Sequence, residues 1–338
     1  MAREVVDLFG LTVQDIDGDI NNYSFTITGD GGVGKSTFAN ALFNRLGSSV
    51  TFAFEDRFRG IPNLKKVNIY EQGWDVIDAY INMLKRGMRD GKPLPFKHII
   101  FDPIGRAGTM CEKFVCEDNG WDSIGQPAYG AGYVAFEKEF SDKVEKLRSM
   151  GIKVDFVAHG KSETITPPRQ EGYNVQMPDI QNKLKYLVKD EVDFLLYLSK
   201  VRVVDESGNP KAVRRLYMQG FPEYSLKVPL DGFPEYIEWD GDVEEGVDKF
   251  LEAFNKAVEI TRAKQLGETA EPNMVDESTP KVDIAALKAE VAAIRDNLIA
   301  SGIDKIEIAK MLKGVFGTAK VDDITDVAKM QKFISDHN

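Results

Sequence analysis

Two cysteines, Cys111 and Cys116, cannot build a disulfide framework in a chain of 338 residues. With no second Cys or His pair near them they offer no zinc site, and the chain reads as one from a reducing compartment. No run approaches the roughly 18–20 uncharged apolar residues that a bilayer span requires. The N-terminus, MAREVVDLFGLTVQDIDGD, has no apolar signal core, so the expected location is the cytoplasm, away from any membrane. Positive charge is also scarce: 43 Lys and Arg face 54 Asp and Glu, a formal net charge of −11. That excludes a histone-like coat or a polycationic arm, but it leaves room for a local basic face. There is no internal repeat and no coiled-coil heptad of useful length.

What is present is the mixture of a globular chain, 43% hydrophobic and 29% charged, with a length that suggests about two domains. Strand and helix patterns alternate from residue 23, which predicts an α/β fold with a mostly parallel central sheet flanked by helices. Predicted strands are YSFTITG (23–29), SVTFAFE (49–55), KKVNIYE (65–71), HIIFD (98–102), IKVDFVAHG (152–160) and VDFLLYLSKVRVVD (192–205). The last turns through 207–210 into AVRRLYMQG (212–220) as a hairpin. Predicted helices cover 36–47, 74–91, 133–151, a short piece near 180–189, and 243–266. Residues 103–131 and 161–182 read as two long loops, the first with a helical piece around 109–116. The segment 267–280 is acidic and poor in large apolar groups, which predicts a flexible linker. It separates a core over 1–266 from a three-helix bundle over 281–338, an expected interaction module.

The strongest motif is Gly29-Asp30-Gly31-Gly32-Val33-Gly34-Lys35-Ser36-Thr37, a G-x-x-x-x-G-K-[ST] loop between a strand and a helix. Glycines let the backbone curl until several N–H groups face one phosphate, and the helix N-terminus adds positive potential. Lys35 supplies charge for the β- and γ-phosphates of ATP, and the Ser36 hydroxyl is placed for Mg²⁺. A second metal ligand is needed, and Asp102, closing the apolar strand HIIFD, is the candidate. Hydrolysis also needs a group that activates water. Glu55 and Asp56 stand at the end of the next strand, where ligand groups gather in open α/β sheets. Side-chain reach favours Glu55, and the plain alternative is a pair of solvated loop acids. His159, at the end of DFVAH, is either a γ-phosphate sensor or a structural histidine.

The branches of P-loop protein separate on small features. A GTPase needs Asn-Lys-x-Asp, and Asn182-Lys183-Leu184-Lys185 has Lys in the last place. Partition-type ATPases carry a Lys after the first loop Gly, where this chain has Asp30. The order of GDGGVGKST, FED (54–56), HIIFD, QPAYGAGY (126–133), DFVAH and VDFLLYLSK resembles the RecA-like core, and within it the phage-encoded RecA-like AAA ATPases, which include single-strand annealing and recombination proteins. The resemblance covers about residues 20–260. One departure stands out: the family's strand acid often appears as D-x-E, whereas here it is Glu55-Asp56-Arg57.

The resemblance implies a Mg²⁺-dependent ATPase acting in DNA recombination, self-assembling as a filament, ring or other oligomer in the host bacterium's cytoplasm. A single-strand-binding protein or nuclease would dock on the C-terminal domain. It also places residues 103–131 and 161–182 where such proteins meet single-stranded DNA. Trp121, Tyr129 and Tyr173 are then the stacking candidates, and Arg106, Lys161 and Arg169 the phosphate contacts. Tyr133 starts a helix and is read as core. Nine basic residues against six acidic ones between 183 and 227 make a local basic segment. In it Arg214, Arg215 and Lys227 are candidates to reach a neighbouring subunit's ATP. The rival expectation is an ATPase that acts on protein partners in partition, assembly or replication without touching DNA.

Overall fold

The computed structural model describes residues 15–168, 171–204, 208–265, 284–300 and 304–316, together with 318, 320, 321, 329–330 and 333–334. Arg169, the linker 267–280 and most of the last predicted helix lie outside the described residues. The chain divides into two units, Met1–Val275 and Asp276–Asn338.

The first unit is a nine-stranded sheet with helices on both faces. Its strands are β1 (Phe25–Gly29), β2 (Ser49–Ala53), β3 (Lys66–Asn68), β4 (His98–Asp102), β5 (Lys153–Ile165), β6 (Tyr173–Pro178), β7 (Phe194–Val204), β8 (Pro210–Tyr217) and β9 (Tyr236–Trp239). They run in the order β3-β2-β4-β5-β1-β7-β8-β9, with β6 paired to β5 alone. From β3 to β7 every pairing is parallel, while β7-β8, β8-β9 and β5-β6 are antiparallel. All five residues of β1, β2 and β4 are buried, as expected of central parallel strands covered on both sides. β5 stands between β1 and β4, which sets the P-loop strand one place away from the strand that ends at Asp102.

Period-2 alternation splits the apolar side chains between two cores. Ile99, Phe101 and Phe156 face one core with Phe52 and Phe54. It is closed by α2 (Ile69–Gln72), α3 (Val76–Arg89), α4 (Ile104–Asn119) and α5 (Ala131–Arg148). Ile100 and Val157 face the other, with Phe25, Ile27, Phe194 and Leu196 against α1 (Lys35–Arg45) and α6 (Val243–Gln265). The buried Lys143 ammonium joins α5 to α3, 2.5 Å from Asp78 and 2.8 Å from Glu139.

Both expected long loops are corrected. Residues 104–119 form α4, because Ile104, Ala107, Gly108, Cys111 and Val115 recur at helical spacing and bury together. Gly105 and Gly108 do not break this helix. A Cβ at Gly105 would lie 3.0 Å from the Asp179 carbonyl, and one at Gly108 would lie 2.1 Å from the Gln181 side chain, so both glycines permit close packing. Most of 161–182 is a hairpin: β5 continues past His159 to Ile165 and pairs with β6 from Gly160↔Pro178 to Ile165↔Tyr173. The stretch 65–71 is a strand of three residues followed by α2, and β9 is an extra strand the sequence pattern did not signal.

The second unit has α7 (Ile284–Ala300), α8 (Lys305–Phe316) and a small apolar cluster that includes Val291, Ile308, Leu312 and Phe333. No helix among the described residues is long and apolar enough to cross a membrane.

Candidate functional site

The site forms at the carboxyl ends of the central strands. β1 ends at Gly29 with φ +151°, where a Cβ would lie 2.0 Å from the Leu198 carbonyl oxygen of β7, so no other residue fits without moving a central strand. The loop closes at Gly34, φ +103°, which starts α1 with no side-chain cap. Phe38 N–H is the first to bond back, to the Gly34 carbonyl. The N–H groups of the first turn are left for a ligand, as at any uncapped helix N-terminus.

Other elements hold the loop from behind. The Tyr197 hydroxyl of β7 donates to the Asp30 carboxylate at 3.1 Å, and Arg214 Nε of β8 donates to the Val33 carbonyl at 3.3 Å. Buried Lys35 donates from Nζ to the Asp30 carbonyl at 2.6 Å. Burial lowers its pKa, opposed by the charges of Asp102, Asp30 and Glu55. The Asp102 carboxylate accepts a hydrogen bond from Ser36 and is buried, which pushes its pKa up to about 7. Glu55 adds to that rise, while Ser36 and Lys35 oppose it.

A cavity of about 400 Å³ gathers these groups: Lys35, Ser36, Thr37, Glu55, Asp102 and His159 line it with Gly31, Gly32 and Gly34. Gly29, Asp30 and Val33 frame the loop. Burial lowers the pKa of His159, and the Lys35 charge adds to the effect. Asp56 is exposed and held 2.7 Å from Arg59, outside the cavity, so geometry separates it from Glu55. Ser36 and Asp102 present hard oxygen donors side by side, the chemistry that suits Mg²⁺.

The other predicted residues are scattered. Arg106 lines a neighbouring cavity. Trp121 packs against the core instead of standing free to stack on a base. Tyr129 is fully exposed with φ +55°, and Tyr173 is exposed on the hairpin. Tyr133, expected in the core, is half exposed. Lys161 pairs with Glu163 at 3.0 Å and Asp179 at 3.6 Å. Arg215 is paired with Glu238 at 2.5 Å and lies 4.0 Å over the Tyr236 ring. Lys227 is spent on the carbonyls of Asp190 and Val192, at 2.7 and 2.6 Å. In the single chain these bonds hold Arg215 and Lys227 to their own chain, and Arg214 touches its own P-loop. The cavity-lining Arg57, beside Glu55, and the brace Tyr197 escaped sequence reasoning, as did the contact of Arg214 with its own chain's loop. FEDR placed Arg57 within sight, whereas the pairing of β7 and β8 beside the loop has no local signature.

A glycine-rich cradle, a buried lysine and a serine–aspartate pair at the carboxyl ends of a mostly parallel sheet define a P-loop ATPase of the AAA type. The chain belongs to the AAA domain family, which matches residues 21–222. No protein of curated function matches it significantly. Among solved structures it is similar to a KaiC-like protein of the hyperthermophilic archaeon Pyrococcus horikoshii, at 10% identity and a TM-score of 0.30, over 61% of this chain and 83% of that one.

Proposed function

We propose that this chain is a Mg²⁺-dependent ATPase of phage DNA recombination that binds single-stranded DNA and promotes annealing or strand exchange. The ATPase part rests on one observation: Lys35, Ser36, Glu55, Asp102 and His159 converge on a single cavity. Lys35 leaves the Asp30 carbonyl for the β- and γ-phosphates when nucleotide enters. The first-turn N–H groups of α1 and the Lys35 charge hold the triphosphate in place. Glu55 takes the proton of the attacking water, and His159 reads the γ-phosphate from the end of β5. A bound Mg²⁺, on Ser36 and Asp102, supplies charge neutralisation to the phosphates.

The DNA part rests on the resemblance, and on exposed Tyr129, Tyr173 and Arg106 on the elements it assigns to the strand. The reading as an ATPase of protein partners draws on a different observation: Lys161, Arg215 and Lys227 are occupied within the chain, and the whole carries a net charge of −11. Salt-titrated binding of labelled single-stranded DNA, with and without ATP, decides between them. The DNA reading expects binding that weakens with salt and strengthens with ATP. No binding at low salt leaves the protein-partner reading.

A further inference from the structure

Beside the nucleotide cavity lies a second one of about 510 Å³, and the two share Glu55, Arg57, Pro103 and His159 along a common wall. Arg106 of α4 stands on this second cavity but not on the first, with Asp179 and Gln181 from the segment after β6. Arg57 and Arg106 are exposed, and neither is paired with a carboxylate among the described residues. Their neighbours differ: Arg59 is taken by Asp56, and Lys161 sits 3.6 Å from Asp179. Of the two acids that line this cavity, Asp179 is already met by Lys161, and Glu55 stands on the wall shared with the first cavity. Two unmatched guanidinium groups and the His159 ring are left to face the same space. A guanidinium fork matches two oxygens of one phosphate, which makes paired arginines the usual means of holding that group.

We propose that this second cavity is a phosphate-binding site whose cations are Arg57 and Arg106. The phosphate comes either from orthophosphate leaving the adjoining cavity, a source that rests on the ATPase reading, or from a phosphodiester of a bound strand. Calorimetric titration of the full chain, saturated with ADP and Mg²⁺, distinguishes them. The titrants are inorganic phosphate and a thymidine oligonucleotide, each added to wild type and to Arg106→Ala.

The expected result is a loss of about tenfold in affinity for one titrant, with ADP affinity held within about twofold because Arg106 lies off the nucleotide cavity. A loss for inorganic phosphate assigns the hydrolysis product. A loss for the oligonucleotide, with the salt slope reduced by about one, assigns the phosphodiester. Wild-type affinity of Arg106→Ala for both titrants overturns the site, as does a wild type that binds neither at low salt. Oligonucleotide binding that ignores Arg106→Ala, with no phosphate binding that depends on Arg106, removes this site and leaves the DNA reading standing. Phosphate binding that depends on Arg106 in a chain without DNA affinity does the reverse.

Discussion

The glycine-rich loop lines the nucleotide cavity, the β5–β6 hairpin begins one residue beyond the cavity's His159, and the two are held by different contacts. The loop is fixed from inside. Gly29 is pressed under the Leu198 carbonyl, buried Tyr197 holds Asp30, and buried Lys35 bonds to the Asp30 carbonyl. The Tyr197 ring packs at a tilt on Tyr224 at 4.6 Å, and Tyr224 stacks on Tyr217 at 4.4 Å. The hairpin leaves the sheet after His159: β6 buries Val175 and Met177 and bonds through Gln176 to the backbone of Glu223 and Ser225, while half-buried ion pairs, Lys161 with Glu163 and Lys185 with Glu163, lie along β5. Buried contacts of the first kind cost several kcal/mol to break, whereas an exposed pair contributes at most about 1 kcal/mol. The loop is thus built to hold one shape for a phosphate chain. The β5 arm of the hairpin, with no buried residue after His159, is the less firmly held side.

Four substitutions sharpen or break that contrast. Lys35→Ala removes the charge that meets the phosphates and lowers ATP turnover by about 100-fold or more, measured by phosphate release. A variant that keeps its rate breaks the assignment of the loop. Gly29→Ala forces a methyl group into a central strand's carbonyl and costs about 3 kcal/mol or more of stability, read by denaturant unfolding. Tyr197→Phe removes only the hydroxyl on Asp30. It weakens nucleotide binding by roughly fivefold, about the free energy of one hydrogen bond, with little change in unfolding. Lys161→Ala on the hairpin shifts stability by less than about 0.5 kcal/mol. A larger loss there would show that the hairpin is as rigidly held as the loop.

Legibility in the sequence follows the same division. The loop, α1, and the ends of β2 and β4 were readable because their chemistry is local: a glycine run, Lys-Ser-Thr in register, and apolar strands that stop at Glu55 and Asp102. The segment after Asp102 was not, because Pro103, Gly105 and Gly108 have the signature of a loop. Their actual roles are to precede a helix and to let Asp179 and Gln181 pack close, a long-range fact. The hairpin was hidden for another reason. Once β5 passes His159 it leaves the core, and KSETI carries no buried face to mark it as a strand. The charge of Arg214 is visible in the sequence, whereas its contact with the P-loop of its own chain is not. Only the antiparallel pairing of β8 with β7 brings it back to its own chain's P-loop.

The central claim is that the carboxyl ends of β1, β2, β4 and β5 form a hydrolytic ATP site with Glu55 as its base. Single-turnover hydrolysis of Mg·ATP by Glu55→Gln, with ATP affinity measured on the same sample, tests it most directly. ATP affinity close to wild type and a hydrolysis rate lower by about 100-fold or more are expected. Hydrolysis at the wild-type rate in that variant would contradict it.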